Sequence, residues 1–286
     1  VSAFALDPAS GALRHLSTVA SEGTDPCHLI VDPSGRFVLV ANFASGSVAV
    51  FPVGADGAIG PACTVVQHEG SSVDPVRQKG PHAHGVTIDA AGRHVLVPDL
   101  GLDRVMIYRF DAATGALTPN PEQPWVATAP GAGPRQIVLH PTVPFAFLIN
   151  ELDSTVTALA FDAARGRLDP IHTLSTLPAG FAGRSTCAEV QLTPDGRFLF
   201  GSNRGHDSLA AFAVDAASGR LTAIGHTPTG GRVPRHFEIA PEGDALVAAN
   251  QDTGDLVLLD LDPATGALTD TGHRAEAGTP VCVRFL

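Results

Sequence analysis

Six residues fall into one column, Cys27, His84, Arg135, Ala188, Arg235 and Val281, each opening an apolar strand and 46 to 57 residues from the next. Three of the six carry side chains that do acid–base or anion chemistry. His84 follows His82 in Pro81-His82-Ala83-His84. Two imidazoles at i and i+2 share one side of a strand, where they could bind a metal or divide acid/base work. Arg135 and Arg235 each follow a proline. A guanidinium is costly to hold in a crowded interior unless an anion or a carboxylate pairs with it. Glu151, Glu189 or Asp99 could supply that carboxylate, and an empty anion site would need the same arginines. Glu151 and Arg204 occupy equivalent places in neighbouring copies of a repeat, with Gln251 as the member from a later copy. Glu189, His28 and His236 stand one residue off the column and by strand alternation would face the other way, so they rank second. His140, before Pro141, sits where other copies have turn residues and reads as structural. One or two imidazoles, one or two carboxylates and three guanidinium groups suit water activation beside an anionic substrate.

The elements that must position these residues recur with the same period. After each column position comes an apolar strand, then a turn such as Asp32-Pro33-Ser34-Gly35-Arg36 or Pro194-Asp195-Gly196-Arg197. A second strand ends at Asn42, Asp99, Asn150, Asn203 or Asn250. A third follows at Val48 to Phe51, Val105 to Phe110, Val156 to Phe161, Leu209 to Val214 and Leu256 to Leu261, before a turn with Gly115, Gly166, Gly219 or Gly266. Short strands and Gly/Asp turns at this period predict an all-β fold, a β-propeller of four-stranded antiparallel blades. A closed propeller shares one core between blades, so 1–286 reads as a single domain with five complete blades near 27–278 and a partial blade at each end. The segment Val1 to Leu13 matches the third strand and turn of later copies, and Thr279 to Leu286 supplies an inner strand. If the ends pair, six blades close the ring; if the chain is a fragment, a larger ring has lost its start.

The repeat also separates structural residues from functional ones. The Asn/Asp column recurs in every copy and reads as turn chemistry, its side chains bonding nearby backbone. Its neighbours Phe43, Leu100, Glu151, Arg204 and Gln251 do not recur. The longest irregular stretch, His68 to Pro81, reads either as a functional loop or as a solvated excursion.

Composition narrows the function classes. Lys+Arg 18 against Asp+Glu 29 gives a net charge of -11, which argues against sequence-independent nucleic-acid binding. An anion site must then be built locally from arginines. No apolar run reaches the roughly 18 residues of a membrane span, so the chain reads as soluble, with no membrane or nucleic-acid partner. Cys27, Cys63, Cys187 and Cys282 form no C-x-x-C and read as buried thiols in a reducing, cytoplasmic compartment. The start at Val1, without methionine and inside a repeat, leaves an upstream signal peptide open. There is no Gly-x-Ser-x-Gly elbow, P-loop or Gly-x-Gly-x-x-Gly opening a helix. Neither a cofactor nor a metal is expected, because arginines can supply the positive charge.

At these residues the chain resembles the seven-bladed β-propeller lactonases, the family of the propeller-type bacterial 6-phosphogluconolactonase. The resemblance spans essentially the whole chain. It rests on Pro81-His82-Ala83-His84, Gly131-Ala132-Gly133-Pro134-Arg135, His140-Pro141 followed by Asn150-Glu151-Leu152, Thr193-Pro194-Asp195-Gly196-Arg197 followed by Ser202-Asn203-Arg204-Gly205, and Pro234-Arg235 followed by Ala249-Asn250-Gln251. It implies seven blades, with about one and a half repeats before Val1. One departure is Gln136, where the family often has His. The resemblance implies hydrolysis of a sugar lactone or phosphosugar lactone, 6-phosphogluconolactone for instance, with His84 or Glu151 as general base. Arg135 and Arg235 would hold the oxyanion or the phosphate, with Arg204 assisting, and His82, Glu189, His236, Gln251 and His28 would contact the substrate. Alternatives are a cyclase acting on a muconate-type dicarboxylate, a propeller scaffold sealed by salt bridges, and an inactive fragment.

Overall fold

A computed structural model describes residues 1–285, and among them every regular element is a strand. Five sheets follow the repeat. The first blade comprises Pro26–Val31, Phe37–Asn42, Ser47–Pro52 and Thr64–Gln67, paired in that order. The second comprises Thr87–Ile88, His94–Asp99, Arg104–Asp111 and Ala116–Pro119, with Trp125–Ala127 as an extra strand on Arg104–Asp111. The third runs Pro134–Leu139, Phe145–Asn150, Thr155–Asp162 and Arg167–Ser175; the fourth, Thr186–Leu192, Phe198–Arg204, Ser208–Val214 and Leu221–Pro228; the fifth, Pro234–Ile239, Ala245–Asn250, Asp255–Leu261 and Leu268–Glu276. Ser2–Leu6 and Leu13–Thr18 make a separate hairpin. Among the described residues no helix is long and apolar enough to cross a membrane.

The strands form where apolar, β-branched and aromatic residues crowd, and two-sided burial explains why the central ones lack alternation. Every residue of Phe37–Asn42 is buried. The chain divides into two compact units, Val1–Gly133 with Ala163–Arg167, and Pro134–Asp162 with Leu168–Leu286. In the first unit Phe37, Leu39, Val48 and Val50 of the first blade pack on Val95, Val97, Tyr108 and Phe110 of the second. In the second unit Phe147 and Ile149 meet Cys187, Val190, Leu199 and Phe212, and Phe198, Phe200 and Leu209 meet Phe237, Leu246 and Val257. Removing a ring such as that of Phe147, fully buried, from water contributes about 1.5–3 kcal/mol. Each sheet is thus held mainly by side chains of the next one in its unit.

Three expectations need correction. No strand is assigned to 279–285, which finds no partner strand among the described residues, and Leu286 lies outside them. His84 does not open a strand, because the inner strand of the second blade is reduced to Thr87–Ile88, preceded by an isolated Ala83–Asp99 bridge. Only Cys187 is buried; Cys27, Cys63 and Cys282 are exposed, as Cys27 lies where its strand departs from pairing, Cys63 precedes an outer strand and Cys282 lies in the strandless segment.

Candidate active site

The column that brings His84, Arg135 and Arg235 together in sequence corresponds to one local device, a β-bulge. In the third blade Pro134 pairs with Asn150 and Gln136 with Ile149, leaving Arg135 as the extra residue. Cys27 is the extra residue between Pro26 and His28, and Arg235 between Pro234 and His236. In the fourth blade the irregularity spans Ala188 and Glu189. A bulge breaks alternation and re-aims the side chains beside it, often at functional sites. The backbone before it is left-handed at Asp25, Gly133 and Val233, with φ of 53°, 65° and 58°. For the β-branched Val233 this is a strained conformation, and its N–H is fixed by Asp207 Oδ1 at 2.9 Å.

In the second unit the bulges assemble a charged cluster. Arg135 is 5% exposed and Glu151 4%. Glu151 Oε2 lies 3.2 Å from Arg135 Nε and 2.9 Å from Arg204 Nη2, two ion pairs. Arg135 also donates to the Ala188 carbonyl, and Arg204 to that of Cys187 at 2.8 Å. Burial depresses the Arg204 guanidinium, with the Glu151 charge opposing that shift. Two guanidiniums converge on one carboxylate in a largely dry setting, an arrangement suited to a substrate anion or a developing oxyanion.

Glu189 adjoins this cluster. Its carboxyl is pushed up to about 7 by burial, against the pull of Arg135, and lies 3.8 Å from His236 Nε2. Glu189 lies within the irregular stretch of its strand, with its carboxylate beside His236, which shares its register one residue off the column. Arg235 donates to Gln251 Oε1 at 3.5 Å. His140 accepts from the backbone N–H of Thr142 and Val143, and its Nε2 meets the Gly196 carbonyl, a turn role as expected.

In the first unit Phe43 gathers the two histidines of Pro81-His82-Ala83-His84. His82 stacks on its ring at 4.6 Å and approaches its carbonyl at 2.9 Å, while His84 meets the ring edge-on at 5.5 Å. Cys27 Sγ donates to the His84 carbonyl at 3.2 Å. His28 Nδ1 accepts from Val86 N at 3.2 Å. Phe43 was visible in sequence only as the counterpart of Glu151, Arg204 and Gln251 beside the Asn/Asp column. Among the described residues no group of three or more His, Cys, Asp or Glu side chains is arranged to hold a metal ion.

The profile of a family described as "Lactonase, 7-bladed beta-propeller" matches residues 1–285. The 6-phosphogluconolactonase of Bacillus subtilis (strain 168) is 38% identical over 237 residues, 83% of this chain and 66% of that protein. That of Pectobacterium carotovorum is 38% identical over 223 residues, 77% of this chain and 62% of that one. This chain therefore spans less than two thirds of the length of either relative. The structure of the periplasmic gluconolactonase of Pseudomonas aeruginosa superposes with a TM-score of 0.94 at 36% identity, covering 100% of this chain and 79% of that one.

Proposed function

The chain belongs to the seven-bladed β-propeller lactonase family, and from that premise we propose that it hydrolyses a sugar lactone, 6-phosphogluconolactone above all. The observation that carries the proposal is the Arg135–Glu151–Arg204 cluster, whose two guanidiniums suit a phosphosugar lactone and the oxyanion made from it. Water adds to the lactone carbonyl carbon as its proton passes to a general base. The oxyanion of the tetrahedral intermediate is held by Arg135 and Arg204, and Arg235 takes the phosphate. The ring C–O bond then breaks, and the ring oxygen recovers the proton. The Glu151 carboxylate is engaged by Arg204 and Arg135, which leaves it poorly placed to take a proton from water. His84 is therefore the base in this scheme, with His82, His28, Glu189, His236 and Gln251 as substrate contacts. We also assign the five blades to one functional domain, supported by the unbroken match over 1–285. The cytoplasm is the compartment we favour, on four free cysteines, three of them exposed.

A pH-stat assay on 6-phosphogluconolactone and on unphosphorylated gluconolactone, corrected for spontaneous hydrolysis, tests the reading. Turnover should favour the phosphorylated lactone, and His84→Ala should cost about 10²- to 10⁴-fold in rate. Full activity in both His84→Ala and Glu151→Gln would overturn the residue assignment. The Arg135–Glu151 bridge also fits a non-catalytic scaffold sealed by salt bridges, and absence of turnover on every lactone would favour that reading.

A further inference from the structure

We infer that His68 and Asp99 form a matched pair that positions the Pro81–His84 segment, an inference that rests on the reading of that segment as part of the reaction site. The column at the end of the second strand holds asparagine at Asn42, Asn150, Asn203 and Asn250, and aspartate only at Asp99. A second register lies in the loop that enters each blade. His68 N donates to the Gly46 carbonyl at 3.0 Å, as Thr128 N, Thr176 N, Thr229 N and Ala277 N donate to the carbonyls of Asp103, Ser154, Asp207 and Gly254. Those acceptors all stand four residues past the Asn/Asp column. His68 thus stands where three other copies have threonine and Asp99 where four others have asparagine, and the two meet: His68 Nδ1 lies 2.6 Å from Asp99 Oδ2, with neither side chain exposed. Tyr108 stacks on the imidazole at 6.1 Å.

The exchange changes what the column residue can hold. Asp99 Oδ1 accepts from His82 N at 2.7 Å, Gly101 N at 3.0 Å and Leu102 N at 3.2 Å. The Oδ1 atoms of Asn42, Asn150 and Asn250 are buried with no hydrogen-bond partner among the described residues. A buried carboxylate needs several donors, and the His68 ring with three backbone N–H groups supplies them.

The entering backbone explains why this blade needs such an acceptor. In the third and fifth blades the left-handed residue before the proline, Gly133 or Val233, gives its N–H to Asp103 or Asp207. The residue equivalent to those aspartates at the second blade is Gly46, and a Cβ there would come within 2.5 Å of the Pro81 carbonyl. Pro81-His82 crosses Gly46 where an aspartate would stand, and His82 turns its N–H to Asp99. That path brings both imidazoles onto Phe43. Through backbone bonds alone, His68 and Asp99 are positioning residues.

The test is the double swap His68→Thr/Asp99→Asn, which restores the pairing seen at Thr176 and Asn203, where Thr176 Oγ1 donates to Asn203 Oδ1 at 2.7 Å. Two readouts are taken: the imidazole NMR shifts of His82 and His84, assigned with His82→Gln and His84→Gln, and kcat and KM on 6-phosphogluconolactone. The swap should keep the fold, move both sets of shifts, and lower kcat at least tenfold with a smaller change in KM, since an ångström of misplacement can cost about 10²-fold. Unchanged shifts and unchanged kcat would overturn the inference. If the parent chain turns over no lactone, the functional reading fails, and the shifts alone decide the positioning role. If the double swap does not fold, Asp99→Asn alone gives the same decision: moved shifts support the pair, and unmoved shifts refute it.

Discussion

Arg204 donates to the Glu151 carboxylate at 2.9 Å, an ion pair between equivalent positions of two neighbouring copies of the repeat. Arg135 shares that same oxygen, so both arginines lean on the Glu151 carboxylate. Glu151→Gln should destabilise the protein by about 3–5 kcal/mol, the cost of removing one partner of a buried ion pair. Arg204→Met should cost less, since Glu151 keeps Arg135. Urea unfolding of the two variants checks the order, and the reverse order would show that Glu151 is not the anchor of the cluster.

Arginines that hold ground-state phosphate and arginines that meet an oxyanion leave different kinetic traces. Arg235→Met should raise KM for 6-phosphogluconolactone about 10- to 10²-fold, the scale of one charge-assisted hydrogen bond, while leaving kcat near that of the parent. On unphosphorylated gluconolactone the same variant should change little. Arg135→Met should lower kcat on both lactones. Equal losses for the two variants on both substrates would remove the division of roles.

Glu189 makes stability depend on pH in a direction opposite to a salt-bridged carboxylate. Burial raises its carboxyl from the ordinary 4.5 to about 7, so the folded protein holds the proton more tightly than the unfolded chain. Its contribution is complete below pH 4.5 and is lost as pH rises toward 7, amounting to roughly 3 kcal/mol at most. Glu189→Gln carries no such titration. The stability difference between Glu189→Gln and the parent should grow in favour of the variant from pH 4.5 to pH 8, and parallel curves would contradict the assignment.

Much of this arrangement is legible in sequence because a repeated backbone writes its register into side-chain types. Val105 to Phe110 and Leu256 to Leu261 lie within strands now bounded at Arg104–Asp111 and Asp255–Leu261. Glu151 and Arg204 could be matched as equivalent positions before their contact was known. The bulge at Arg135 could not be read, since one extra residue in a strand changes pairing without changing composition. The Asn/Asp column was read as local turn chemistry, yet Asn42, Asn203 and Asn250 reach carbonyls of Ser21, Thr176 and Thr229 in the entering loops. The His68–Asp99 pair needed both registers at once, and the loop register exists only as backbone hydrogen bonds.

Packing between successive blades gives a final prediction. Gly219 turns the third strand of the fourth blade into its outer strand at φ 69°, and a Cβ built there would lie 2.4 Å from Phe145 Cδ1, at the start of the second strand of the third blade. Gly11 has nearly the same conformation, φ 70°, with nothing within 4 Å of a built Cβ. Gly11→Ala therefore isolates the left-handed penalty of roughly 1–2 kcal/mol, partly offset by the reduced freedom of the unfolded chain. Gly219→Ala carries the same penalty and must also displace the Phe145 ring, so it should cost about 1–3 kcal/mol more, the scale of overpacking. In a double-mutant cycle with Phe145→Ala that excess should vanish, because the clashing ring is gone. An excess that survives the loss of Phe145 would mean that the turn itself, rather than the contact between blades, requires glycine at 219.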